Sequence, residues 1–312
     1  MLKLRVVTAV IGLPILIWVL AAGPAWTLLL FYLLCVSLAV SEAARMLLPR
    51  LDELFAHFEA ADADDAAWKA RRLARSDTEK RQQYFALTAF CVLVAAVIFL
   101  ASAMLDDSAG RAVLIIGLMT TILVGVFATR GIDGEMARVI GFLVSIVYAG
   151  LPWIAVWDLN QLGDGSRYVF LLLAVVWAGD TGGYFGGRFF GKNRMAPHKS
   201  PKKTWEGAAA GLLASVAAAH LLSVFYVSNI LGTAGAPLAS PWTLTAVGLF
   251  GGMAGQLGDL VESVIKRFTR VKDSGSIFPG HGGFLDRTDG LLFAAPVIWI
   301  ILRFFGNSAL TS

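Results

Sequence analysis

Long apolar runs separated by short charged segments dominate the chain from residue 4 to residue 306. An α-helix needs roughly 17–25 predominantly apolar residues to cross ~30 Å of hydrocarbon. On that pattern the sequence predicts spans near 4–22, 25–42, 84–104, 111–128, 137–157, 167–187, 207–228, 241–262 and 288–306. The expected fold class is all-α, a polytopic integral membrane protein of about nine transmembrane helices in a single membrane domain over 1–312. The first run follows Lys3 and Arg5 as in a signal peptide. It passes into Gly23-Pro24 without a small-x-small cleavage site, so it reads as a first span.

Composition agrees: 57% of residues are hydrophobic, 15% are charged and the mean hydropathy is +0.70, too apolar for a soluble domain. Basic residues then set the orientation. With a cytoplasmic N-terminus, 23 of the 26 Lys and Arg residues fall in inside segments and only Arg111, Arg167 and Arg303 fall outside. The net charge of +4 therefore reflects insertion topology, and no nucleic-acid partner is expected. Residues 43–83 carry eight Lys/Arg and eight Asp/Glu, and read as a charged cytoplasmic loop insertion, a solvated helical hairpin at the inner surface. Cys35 and Cys91 lie in apolar runs without metal-ligand spacing and read as packing residues. His57 and His220 have no chemical neighbours in sequence.

The run 241–262 departs from an ordinary span. It turns glycine-rich at Gly251, Gly252, Gly255 and Gly258 and ends in Asp259, Glu262, Ser263, Lys266 and Arg267. Helical spacing puts those polar groups on one face, and ionisable groups at the end of a span are costly unless they line a polar cavity. The loop that follows, Lys272 to Gly290, is dense in chemistry. Its glycines let backbone N–H groups turn toward an anion, Lys272 and Arg287 add positive charge, and Asp286 and Asp289 sit one turn apart. Asp259, Asp286 and Asp289 among basic residues suit Mg²⁺ holding a polyphosphate, with a second metal ion as an option.

Ser263-Val264-Ile265-Lys266-Arg267, Lys272-Asp273-Ser274-Gly275, Pro279-Gly280-His281-Gly282-Gly283 and Asp286-Arg287-Thr288-Asp289 together resemble the signature of the phosphatidate cytidylyltransferase family, the CDP-diacylglycerol synthases. Ser200-Pro201-Lys202-Lys203-Thr204-Trp205-Glu206-Gly207 resembles a second cytoplasmic motif of that family, and Trp177 with Asp180-Thr181 and Gly187-Arg188 resembles a third. The resemblance makes 177–290 the catalytic region. It implies transfer of a cytidylyl group from CTP to phosphatidic acid, in the bacterial inner membrane, with the site on the cytoplasmic side and a homodimer as the assembly. Asp259, Lys266, Lys272, Asp286, Arg287 and Asp289 are then the catalytic set. Arg267, His281, Gly282, Gly283, Ser200, Lys202, Lys203 and Asp180 are the substrate-binding set, and Asp259, Asp286 and Asp289 the metal ligands. The 41 residues of 43–83 are more than a bacterial member is expected to carry.

His198, beside Lys199, Lys202 and Lys203, could help attract CTP or anionic membrane lipid. Trp205, at a span entrance, reads first as an interfacial anchor and second as a platform for cytosine. Gly186 to Asn193 nearly fits GxxxxGK[ST], but Asn193 replaces the hydroxyl and the segment emerges from a membrane helix, so it is no phosphate loop of that class. A transporter would place charge near the bilayer midplane and show inverted repeats. A CTP-using polyprenol kinase would not keep the string from His281 to Asp289. A scaffold has no reason to gather three carboxylates beside four basic residues.

Overall fold

The computed structural model describes residues 2–62, 77–127, 132–162, 166–197, 200–228, 237–278 and 282–306. Its helices are α1 (Leu2–Ala22), α2 (Ala25–Asp62), α3 (Asp77–Met104), α4 (Asp107–Phe127), α5 (Ile132–Ala149), α6 (Pro152–Gln161) and α7 (Ser166–Phe190). They continue as α8 (Trp205–Val227), α9 (Pro241–Ala246), α10 (Gly252–Phe268) and α11 (Leu285–Phe305). A π-helical turn (Val247–Gly251) joins α9 to α10. Between α7 and α8, β1 (Arg194–Ala196) and β2 (Ser200–Thr204) form an antiparallel hairpin, which hydropathy gave no reason to expect.

Eight spans among the described residues are long and apolar enough to cross a membrane, with the shorter apolar stretch Gly12–Ala22 beside them. The chain is an all-α, multi-pass membrane protein. The expected break after residue 42 is absent, because α2 runs on to Asp62. Ala43, Ala44, Leu47, Leu48 and Leu51 are all buried, so the apolar stripe outlasts the apolar run. At 1.5 Å per residue its 38 residues extend about 57 Å, well beyond ~30 Å of hydrocarbon. Asp52, in that extension, accepts a hydrogen bond from the Tyr84 hydroxyl at 2.9 Å and faces Arg138 at 3.8 Å. Residues 63–76 of the expected hairpin lie outside the described residues.

Contacts divide the chain into two compact units. One comprises Met1–Arg5, Ala25–Ile154 and Phe268–Leu285. Within it α2 packs on α3 and α5, with α4 against α3 and α5, around the buried Tyr32, Phe99 and Phe142.

The other comprises Val6–Pro24, Ala155–Arg267 and Asp286–Ser312. Its most extensive contact is α7 on α8, made by small residues. A Cβ at Gly182 would lie 2.5 Å from Ala214 Cβ, one at Gly207 2.8 Å from the Gly183 carbonyl, and one at Gly211 2.7 Å from the Gly179 carbonyl. Such backbone contact gains van der Waals energy where apolar side chains gain none over lipid. The Ser215 hydroxyl, buried between the helices, donates to the Val175 carbonyl at 2.8 Å.

Candidate active site

The site grows from the glycine face of α10. A Cβ at Gly255 would sit 3.6 Å from the Gly290 carbonyl, and one at Gly258 would collide with the Asp289 carbonyl. Backbones this close bring the end of α10 against the first turns of α11. Asp259 and Glu262, three residues apart on one helical face, meet Asp289 there. One carboxylate oxygen from each lies within 4.8 Å of the others.

Glu262 is 1% exposed. Its Oε2 accepts from Lys266 Nζ at 2.6 Å, while the buried Oε1 has no hydrogen-bond partner among the described residues. A buried carboxylate oxygen left bare is costly unless a cation or donor faces it. Three hard oxygen donors around one orphaned oxygen therefore fit a divalent cation such as Mg²⁺. Glu262 was in the polar stripe but unassigned; its signal was its position, three residues after Asp259.

Asp286, also expected as a ligand, joins the group through Lys266. Its Oδ1 accepts from Lys266 Nζ at 2.6 Å, and it is not one of the three gathered carboxylates. Lys266, expected as a phosphate clamp, thus stands between Glu262 and Asp286.

Lys203 comes from the hairpin and reaches Asp259 Oδ2 at 2.7 Å. The hairpin is held by Arg194, which donates to the Pro201 carbonyl at 2.6 Å, and by Glu206, whose carboxylate accepts from the Lys192 and Asn193 backbone. Thr204 caps α8, accepting from Gly207 N at 3.1 Å. Beside this hairpin opens a cavity of about 550 Å³. Asp180, Arg188, Lys202, Lys203, Gln256 and Asp259 are among its lining residues. Asp180 sits in the field of Asp259, Lys203 and Arg287, which brings all three sequence motifs to one place. Gln256 of α10 and Arg194 of β1 went unnoticed as wall residues.

The remaining expected residues are more scattered. Ser200 pairs with Ala196 in the hairpin and is not among the cavity-lining residues, and Arg267 is exposed in the last turn of α10. Lys272 is exposed in the loop after α10. Gly282 has φ 86°, a left-handed conformation that glycine adopts without strain, and bridges to Phe278. Gly283 packs on Ser274. His281 and His198 lie outside the described residues.

The cytidylyltransferase family matches residues 65–305. Phosphatidate cytidylyltransferase of Staphylococcus saprophyticus is 40% identical over 160 residues, 51% of this chain and 57% of that protein. The Bacillus subtilis protein of that name is 39% identical over 169 residues, 53% of this chain and 59% of its own. That of Mycobacterium bovis is 41% identical over 139 residues, 45% of this chain and 42% of its own. The chain thus spans about half the length of the curated relatives it matches. The family match, by contrast, runs from within the charged segment through the last helix and takes in every residue of the site, and on that extent the chain belongs to the cytidylyltransferase family.

Proposed function

We propose that the chain transfers a cytidylyl group from CTP to phosphatidic acid, giving CDP-diacylglycerol and pyrophosphate. The observation that carries the reading is the carboxylate cluster Asp259, Glu262 and Asp289 sharing Asp259 with a cavity lined by Lys202 and Lys203. The names of the relatives support the substrates.

The attacking group is a phosphate monoester, whose second pKa of about 6 leaves it ionised at neutral pH, so no general base is needed. A phosphatidate oxygen bonds to the α-phosphorus of CTP as the α–β phosphoanhydride bond breaks, and the electron pair leaves on pyrophosphate. The chain's task is to bring two anions together and stabilise the departing charge. Lys202, Lys203 and Arg188 line the cavity and would face phosphate oxygens there. Lys266, held by two carboxylates, keeps Glu262 oriented. Asp259, Glu262 and Asp289 would hold Mg²⁺, which supplies charge neutralisation for the triphosphate. Lys203 pairs with Asp259 at the edge of the cavity, where it would also face a phosphate oxygen of the substrate.

The finer topology belongs to the same proposal: nine spans, a cytoplasmic N-terminus, and a catalytic region over 177–290 facing the cytoplasm of a bacterial inner membrane, in a homodimer. The distribution of 23 of 26 basic residues supports the orientation. Label position tests the chemistry. CTP labelled at the α-phosphate is expected to put label into lipid, and CTP labelled at the γ-phosphate to put it into pyrophosphate. Transfer of the γ label to lipid would instead identify a kinase and overturn the proposal.

A further inference from the structure

Glu42 sits inside α2 between Leu38 and Ala44, a stretch whose only other polar residue is Ser41, and is 3% exposed. An ionised carboxylate there is costly unless donors satisfy it. Its Oε1 accepts from Phe284 N at 3.0 Å, and its Oε2 from Leu285 N at 2.8 Å and the Ser274 hydroxyl at 2.8 Å. Ser274 and Phe284 belong to the segment that follows α10 and Leu285 is the first residue of α11, all more than 230 residues away in sequence. Two glycines make the approach feasible. A Cβ at Gly275 or at Gly283 would collide with the Glu42 carboxylate.

Leu285 opens α11 and is fully buried, and Trp153 stacks on Phe284 with ring centroids 5.8 Å apart. A helix leaves its first N–H groups unpaired and carries partial positive charge at that end. Glu42 supplies an acceptor and a negative charge to both needs. The residues that follow Leu285 along α11 are Asp286, Arg287 and Asp289.

We infer that Glu42 is a positioning residue: it fixes Ser274, Phe284 and Leu285 at the start of α11, and through that backbone the register of Asp286, Arg287 and Asp289. It touches no reacting group. What the register serves rests on the cytidylyltransferase reading; the ordering of the loop does not. Gln is the informative substitution, because one amide end would present N–H groups where Glu42 now accepts, opposing at least one backbone donor.

The test uses full-length protein in detergent, with amide hydrogen exchange over 282–285 and steady-state kinetics on Glu42→Gln, Glu42→Asp and Ser274→Ala. Glu42→Gln is expected to speed exchange of these amides about tenfold or more, the loss of one hydrogen bond's protection. It is also expected to lower kcat roughly 10–100-fold, as small misplacement of catalytic groups does, with KM for CTP changed less. Glu42→Asp, which keeps the charge, should recover part of both, and Ser274→Ala should speed exchange less than Glu42→Gln. Wild-type exchange and kcat in Glu42→Gln would overturn the inference. If Glu42→Gln does not fold, unchanged exchange and kcat in Ser274→Ala would overturn it. If the wild-type protein makes no CDP-lipid, the functional reading fails, and the exchange result still decides the positioning role.

Discussion

Lys266 donates to both Glu262 and Asp286 at 2.6 Å, and the two partners are not equivalent. Glu262 is one of the three gathered carboxylates; Asp286 is not in that group. Glu262→Gln should therefore raise the Mg²⁺ concentration for half-maximal turnover and lower activity roughly 10–100-fold or more. Asp286→Asn should lower turnover while leaving the Mg²⁺ dependence near that of wild type, since it loosens Lys266 without removing a ligand. A Mg²⁺ titration of both variants distinguishes them, and a shift in Asp286→Asn alone would contradict the assignment. Asp259, Asp286 and Asp289 were all singled out in the sequence, because a carboxylate at the end of a span has few structural uses. That Glu262 rather than Asp286 gathers with Asp259 and Asp289 was not legible, since it emerges only when α10 and α11 are in place. Glu42 was invisible as a partner because its donors lie more than 230 residues away.

At the scale of elements, glycine stripes decide how close helices come. On α7, Gly182 and Gly186 leave room for Ala214 and Ala210 of α8. Gly182→Leu should force these helices apart and destabilise the protein by ~1–3 kcal/mol, as overpacking does. A lowered Tm in detergent checks this. Gly12→Ala, where nothing lies within 4 Å, should change stability by less than about 0.5 kcal/mol. Equal effects of the two would contradict the packing argument. Helix positions followed from hydropathy because span length is imposed by the bilayer. The end of α2 did not, since its extension past residue 42 is held by packing of Leu47, Leu48 and Leu51, which a hydropathy window does not register. The hairpin was missed for the opposite reason: its pairing rests on backbone hydrogen bonds in a polar segment with no alternation to read.

For the whole molecule, the proposed orientation rests on the uneven distribution of Lys and Arg along the chain. Cys35 and Cys91 are 2% and 0% exposed, so introduced cysteines can be labelled against a quiet background. Lys202→Cys and Arg267→Cys should react with a membrane-impermeant reagent only from the cytoplasmic side, and Arg111→Cys only from the opposite side. Labelling of all three from one side would contradict the proposed topology. The central claim is that this membrane chain uses its carboxylate cluster to join CTP to phosphatidic acid. The most direct measurement gives purified, folded protein labelled CTP, phosphatidic acid and Mg²⁺, and follows label into lipid. The account predicts lipid-linked cytidylate with an equal yield of pyrophosphate, lost when phosphatidic acid is omitted or Mg²⁺ is chelated and restored when Mg²⁺ is returned. Absence of phosphatidate-dependent turnover, or turnover that survives chelation, would contradict it.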